Sequence, residues 1–307
     1  MLGIQFILIA GLFVAASNLC MRKSIDAGGS SKGFLMVQLF WVFLIAILLN
    51  PVRSGDYHWS NCMGAFGVAG GLVLALMMAS LGRSLERGPP GLTIAILNAS
   101  TVMPSILMYL IFGPKLGCLY NAENAIGSIL VVLGLFWAGW QTARSEQKYS
   151  WVAFVTATFF LHTLFLIFLN WRALFINYPG ETGLFLSFDM EDAKSQWFMP
   201  TVFFVAFLFQ AFVYYSSTKK FPKSSEVVYG VLGGIANGIG TFFMIRSTEV
   251  ATPFEGAMIF PIFAVSVIII CNIWGRALYK EKVNWWASAL CVGGILLGTV
   301  SWNVLFK

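Results

Sequence analysis

Apolar runs of about twenty residues, separated by short polar stretches, follow one another along the whole chain. A helix of that length crosses the hydrocarbon core of a bilayer, which is roughly 30 Å thick. Membrane β-barrels instead show alternating segments of roughly ten residues, and none is present here. The pattern predicts an all-α polytopic membrane protein with ten transmembrane helices. The predicted spans are 3–21, 33–50, 61–82, 91–112, 123–141, 150–170, 197–216, 227–245, 253–275 and 285–304.

Composition agrees with this pattern, because 58% of the 307 residues are hydrophobic and 10% are charged, against roughly 25% charged in soluble domains. The net charge of +6 lies in short loops, which argues for a lipid bilayer and against nucleic acid as a partner. The five cysteines are scattered without a C-x-x-C or a Cys/His cluster, so we expect neither a disulfide framework nor a metal site. The first run begins at Leu2 without a basic segment before it, which favours a retained helix over a cleaved signal peptide.

Two stretches half a chain apart repeat each other at an offset of 163 residues. "GVAGG" at 67–71 and "RSLE" at 83–86 return as "GVLGG" at 230–234 and "RSTE" at 246–249. Chance recurrence in membrane sequence is the alternative, but the constant spacing favours a duplication. A five-span unit ends on the side opposite its start, so its copy enters the membrane inverted, as in many secondary transporters. The predicted repeats are 1–148 and 149–307.

Basic residues in the loops give an expected orientation. We call the side where the first span begins side A and the opposite side B. Side B carries thirteen Lys and Arg residues and side A carries six. The positive-inside rule then places side B in the cytoplasm and both termini outside.

Several motifs in this order resemble the drug/metabolite transporter superfamily, of the EamA-like and sugar-uptake-like kind. "ASNLCMRKS" at 16–24 resembles its first-helix pattern. "LGRSLERGPPG" and "MIRSTEVATPF" resemble its corner between helices 3 and 4. "IFGPKL" at 111–116 and "LYKEKV" at 278–283 resemble the turns after helices 4 and 9, although the first turn lacks the acidic residue and Asn98 stands where the family often has proline.

The resemblance implies two inverted five-helix repeats in a bacterial inner (plasma) membrane, as a monomer or homodimer without a cofactor. It places a transport path between helices 1, 3, 4, 6, 8 and 9. Substrates in the superfamily include amino acids, sugars, nucleotide sugars and other metabolites. Many members have both termini in the cytoplasm, which is opposite to the orientation from the charge count.

Polar side chains within the spans are the candidates for a substrate path, because such groups are costly in lipid unless they face a cavity or a partner. The alternative for each amide is a hydrogen bond across a helix interface, worth roughly 0.6 kcal/mol on average. His162 is a candidate for binding substrate or relaying a proton, with a neutral, hydrogen-bonded ring as the alternative. Trp41 is a candidate for stacking on substrate, with a core or lipid-facing position as the alternative. The predicted path residues are Asn18, Trp41, Asn98, Thr101, His162 and Asn237.

Charged residues at the helix ends have two interpretations. Arg83 with Glu86, and Arg246 with Glu249, either anchor the ends of their helices or form the two halves of a gate. Because the repeats are inverted, the two pairs are expected on opposite membrane faces. "TPFE" at 252–255 predicts a capping box in which Glu255 caps a helix N-terminus, with a coupling-ion role as the alternative.

The glycine-rich stretches at 67–71 and 230–234 predict close helix packing. Span 1 holds no Asp or Glu, which argues against lipophilic cations as the main substrate, since a buried unpaired cation is costly.

The sequence therefore favours a secondary transporter for a small polar metabolite that works by alternating access. The alternatives are a membrane-embedded enzyme and a structural membrane protein without transport activity. The two histidines, with no H-E-x-x-H and no G-x-S-x-G motif, argue against an enzyme, and we expect no catalytic residues.

Overall fold

A computed structural model describes residues 2–87, 90–140, 148–178, 190–280 and 284–299. The regular secondary structure of these residues is helical throughout, because a helix in lipid satisfies its own backbone N–H and C=O groups. The helices are α1 (Leu2–Asp26), α2 (Ser31–Ile47), α3 (Asn61–Arg87), α4 (Pro90–Ala99), α5 (Met103–Phe112), α6 (Ala122–Trp140), α7 (Lys148–Asn177), α8 (Met190–Lys194), α9 (Phe198–Thr218), α10 (Ser224–Val250), α11 (Pro253–Gly256), α12 (Ile259–Tyr279) and α13 (Trp285–Thr299).

Eight helical segments within the described ranges are long and apolar enough to cross a membrane. The fifth and tenth predicted spans correspond to α6 and α13, whose apolar parts are shorter helices, Ala122–Trp137 and Trp285–Gly298. Large apolar side chains are exposed on the outside of the bundle, with Phe212 72% and Leu110 69% accessible. An apolar surface of this extent belongs in lipid rather than water. The chain is an all-α polytopic integral membrane protein.

The fourth predicted span is a broken helix rather than a continuous one. A 3₁₀ turn at Ser100–Val102 separates α4 from α5. Pro104 explains the break, since its ring clashes with the carbonyl of the residue four positions earlier and it has no N–H to donate. The carbonyl of Ser100 instead accepts from the Met103 N–H, three residues on, and from the Thr163 hydroxyl at 3.4 Å. The break therefore places freed backbone groups and short polar side chains inside the bundle.

Helices from the two predicted repeats pack mainly against each other. α1 contacts α10 and α12, α3 contacts α7 and α9, and α2 lies between α9 and α10. α6 pairs with α13 and also packs against α4. The predicted boundary between the repeats falls at the beginning of α7, beside residues 141–147, which lie outside the described ranges.

Gly71 and Gly234 permit close helix approaches in the bundle, as the sequence predicted. A Cβ atom on Gly71 of α3 would lie 2.7 Å from the Val202 carbonyl oxygen and 2.8 Å from the Val205 Cβ of α9. A Cβ atom on Gly234 of α10 would lie 2.7 Å from the Gln38 carbonyl oxygen and 2.5 Å from the Trp41 Cβ of α2. Since real Cβ atoms do not approach so closely, both positions require glycine at the observed helix separation.

Candidate functional site

An ion-pair cluster lies where α7 and α10 end. Glu249 pairs through one carboxylate oxygen with Arg172 of α7, and through the other with Arg246, one turn earlier in its own helix, at 2.6 Å. The Arg172 and Glu249 side chains are only 6% and 10% accessible, whereas that of Arg246 is 44% accessible. Arg172 is thus the partner that neutralises the charge of Glu249 inside the protein, where solvent does not reach it.

A cavity of about 330 Å³ opens beside this cluster, and we call it the large cavity. Its walls come from α5, the second half of α7, the end of α10 and the segment 251–257. Ser105 and Asn170 line it from facing helices, and Asn177 and Tyr178 line it nearer the α7 terminus. The Ser105 hydroxyl is buried without a hydrogen-bond partner among the described residues. The large cavity therefore offers polar groups with hydrogen-bonding capacity to spare.

A second cavity of about 190 Å³ adjoins the cluster from its other side, and we call it the basic cavity. Glu249 lines both cavities. The segment that follows α2, the end of α7 and the short helix α8 complete its walls. Because α2, α5, α7 and α10 all end at these two cavities, both lie on the same side of the bundle, side A.

The helices α4 and α5 present a polar stripe that leads inward from the large cavity. The stripe consists of Asn98, Thr101 and Ser105, which follow one another at spacings of three and four residues across the 3₁₀ turn. Ser105 lines the large cavity, whereas Asn98 and Thr101 are buried and do not line it. The Asn98 amide donates to the Ile94 carbonyl at 2.8 Å, and the Thr101 hydroxyl to the Asn98 carbonyl at 2.7 Å.

His162 of α7 meets this stripe at the helix break. Its Nδ1 atom lies 2.6 Å from the Ser100 hydroxyl oxygen and 3.2 Å from the Leu97 carbonyl oxygen. Of the predicted path residues, His162 thus lies beside the helix break, whereas Asn98 and Thr101 on either side of Ser100 bond to carbonyls of their own segment. Local hydrogen bonds occupy these groups, so their part in a substrate path stays a prediction.

The other three predicted path residues lie elsewhere in the bundle. Asn18 is exposed on α1 and contacts Cys271 of α12. Trp41 packs its Cβ against Gly234 in the interface between α2 and α10. Asn237 lies one turn further along α10 and is half-buried. None of these three lines either cavity.

The predicted Arg246 and Glu249 pair is present, but Arg172 is the residue that sequence reasoning missed. We predicted the sixth span to end at residue 170, which placed Arg172 in a loop; α7 in fact continues to Asn177. The apolar residues 173–176 that follow Arg172 were the available signal. On the other membrane side, Arg83 lies over the Phe154 ring at 5.4 Å, and the Glu86 side chain lies outside the described residues.

Glu255 forms the predicted capping box at α11. Thr252 is the N-cap, its hydroxyl accepts from the Glu255 N–H, and Glu255 in turn accepts from the Thr252 N–H at 3.0 Å. Burial opposes ionisation of this carboxyl, but hydrogen bonds from Thr252 and from the Ile4 N–H outweigh it and lower the pKa of Glu255. The carboxylate therefore has a structural role in tying α11 to the start of α1.

Cys118 contributes a thiol to the wall of the large cavity. Burial raises the pKa of the Cys118 thiol, which lines this cavity, to about 11. At neutral pH the sulfur is thus a protonated thiol, which is a poor nucleophile. In the part of the chain that the structure describes, no group of three His, Cys, Asp or Glu side chains is placed to hold a metal ion.

Comparisons with known proteins define the fold and nothing finer. No family model matches the sequence, and no curated protein matches it. Among solved structures 27 chains match. One of them, described only as "Crystal structure of protein", covers 97% of this chain and 98% of its own length with a TM-score of 0.71 at 14% sequence identity. The whole bundle thus follows an architecture already seen in a solved protein.

Proposed function

We propose that this protein is a secondary transporter of a small polar metabolite and a member of the drug/metabolite transporter superfamily, built from two inverted five-helix repeats in a bacterial inner membrane. Its transport path would run from the large cavity along the polar stripe of α4 and α5. The single observation that carries the proposal is a duplicated helix interface.

The interface between α3 and α9 has the same construction as that between α10 and α2. Gly71 meets the Val202 carbonyl and Val205, and Gly234 meets the Gln38 carbonyl and Trp41. The two glycines are 163 residues apart, and the paired contact positions are each 164 residues apart. One unit used twice accounts for such matched contacts, and inverted units of this kind are the architecture of many secondary transporters.

An opening on one side and inter-repeat contacts on the other are what alternating access requires. The two cavities lie on side A. On side B, Glu226 of α10 accepts from the Ser30 N–H and hydroxyl, both at 2.6 Å, and Lys223 donates to the Gly28 carbonyl at 2.6 Å. These contacts join the turn between α1 and α2 to the start of α10, so they would have to break when side B opens.

A solute screen followed by uptake into proteoliposomes tests the proposal. Purified protein is first screened by thermal shift against amino acids, sugars and nucleosides, and the best solute is then used as a radiolabelled substrate. Ser105→Ala and Asn170→Leu should each lower uptake about tenfold or more, since each removes hydrogen-bonding capacity from the large cavity. Asn98→Leu and Asn237→Leu test the deeper path in the same assay.

Asn272→Leu is the matched control. Asn272 donates to Ser288 at 3.2 Å between α12 and α13, away from both cavities, so uptake should stay near the wild-type rate. A folded protein that takes up no solute in the screen, or cavity variants with the same uptake as Asn272→Leu, would contradict the proposal.

A further inference from the structure

We propose that the basic cavity binds an anionic group, a carboxylate or a phosphate, and that the transported solute carries this group. As an assignment of substrate class the inference rests on the proposed transport function. As an assignment of a binding site it does not, because binding is measurable without transport.

Charge is the first observation. Four basic side chains, Arg53, Arg172, Lys194 and Arg246, line the basic cavity against a single carboxylate, Glu249. They come from α10, from the end of α7, from α8 and from the segment that follows α2, so four separate parts of the chain bring positive charge to one space. A concave surface of one sign concentrates ions of the opposite sign.

An unpaired buried donor is the second observation. Arg172 is 5% accessible, and its guanidinium donates to Glu249 through Nη1. Its Nε atom is buried without a hydrogen-bond partner among the described residues. Buried guanidinium donors are rarely left unpaired, and because the Arg172 side chain lines the basic cavity, a molecule bound there is a candidate partner for this donor.

The planar guanidinium fork favours an oxyanion over a halide or a cation. Carboxylate and phosphate oxygens accept two parallel N–H bonds from arginine, which gives both affinity and orientation. Glu249 does not prevent this, because Arg172 and Arg246 already compensate its charge. The large cavity meets the basic cavity at Glu249. A solute whose anionic group lies in the basic cavity would therefore place its remaining polar groups beside Ser105 and Asn170 in the large cavity.

Titration calorimetry on the purified full-length protein in an uncharged detergent tests the site. The probes are inorganic phosphate, succinate and choline, each at constant ionic strength. The double variant Arg53→Gln/Lys194→Gln removes two cavity charges without touching the ion-pair cluster. Lys115→Gln/Lys220→Gln removes two exposed basic residues outside the cavity as the matched control, and thermal unfolding checks that both variants are folded.

We expect saturable binding of phosphate, succinate or both, and none of choline. Affinity should fall about tenfold or more in the cavity variant, because each charge-assisted hydrogen bond is worth roughly a factor of ten, and stay unchanged in the control. Which anion binds identifies the group. Absence of saturable anion binding, or equal affinities in the two variants, would overturn the site. Uptake of a neutral solute without anion binding would support the transport proposal and contradict the anion site. Anion binding without uptake of any solute would support the anion site and contradict the transport proposal.

Discussion

Arg172 determines the electrostatics of the candidate site at the scale of single residues. It is buried, pairs with a buried carboxylate and lies over the Phe198 ring at 5.4 Å. Arg246 pairs with the same carboxylate from an exposed position. Two arginines on one glutamate thus differ in their surroundings, and their contributions to stability should differ accordingly.

Replacement of Arg172 by Gln is expected to destabilise the folded protein by about 3 kcal/mol, the lower end for breaking a buried ion pair, because Arg246 remains paired with Glu249. Arg246→Gln should cost no more than about 1 kcal/mol, since exposed ion pairs contribute little. Thermal unfolding of both variants in detergent measures the difference. Equal losses of stability would show that burial of Arg172 has no energetic importance.

The two glycine-lined interfaces belong to the scale of the helices. Gly71→Ala and Gly234→Ala should each destabilise the protein by about 1–3 kcal/mol, because the added methyl group forces α3 from α9, or α10 from α2. Gly82→Ala is the matched control in α3, where an added Cβ meets nothing within 4 Å, and it should stabilise by roughly 0.5–1 kcal/mol through helix propensity. Unfolding midpoints compare the three. A stabilising Gly71→Ala would contradict the close approach.

The positions and ends of these helices could be predicted from the sequence, but the contacts between helices could not. The apolar runs identified the membrane helices, and Thr252 with Glu255 identified a helix start, because each depends on residues close in the chain. Pro104 was also visible, yet the break that it causes becomes important only because Thr163 and His162 of another helix lie beside it. Arg172 was predicted to lie in a loop because a charged residue usually marks the end of a membrane span. The helix continues past it because Glu249, distant in the sequence, compensates its charge.

The position of the bundle in the membrane is a property of the whole molecule, and cysteine labelling tests it. With Cys62 and Cys118 replaced by Ser, Asn170→Cys in the large cavity should react with a water-soluble maleimide added from side A, and bound solute should slow the reaction. Phe160→Cys is the matched control in the same helix. It is 62% accessible but would face lipid, where a thiol does not ionise, so it should stay unlabelled. Faster labelling of Phe160→Cys would contradict the membrane placement.

The position of Glu249 between the two cavities links their affinities thermodynamically. A charged ligand in either cavity would change the electrostatic potential at the Glu249 carboxylate. The strength of its ion pairs with Arg172 and Arg246 would change with it. If both cavities bind ligands as proposed, occupancy of one would alter the free energy of binding in the other, and reciprocity would make the effect equal in both directions. The two spaces would then behave energetically as a single coupled site.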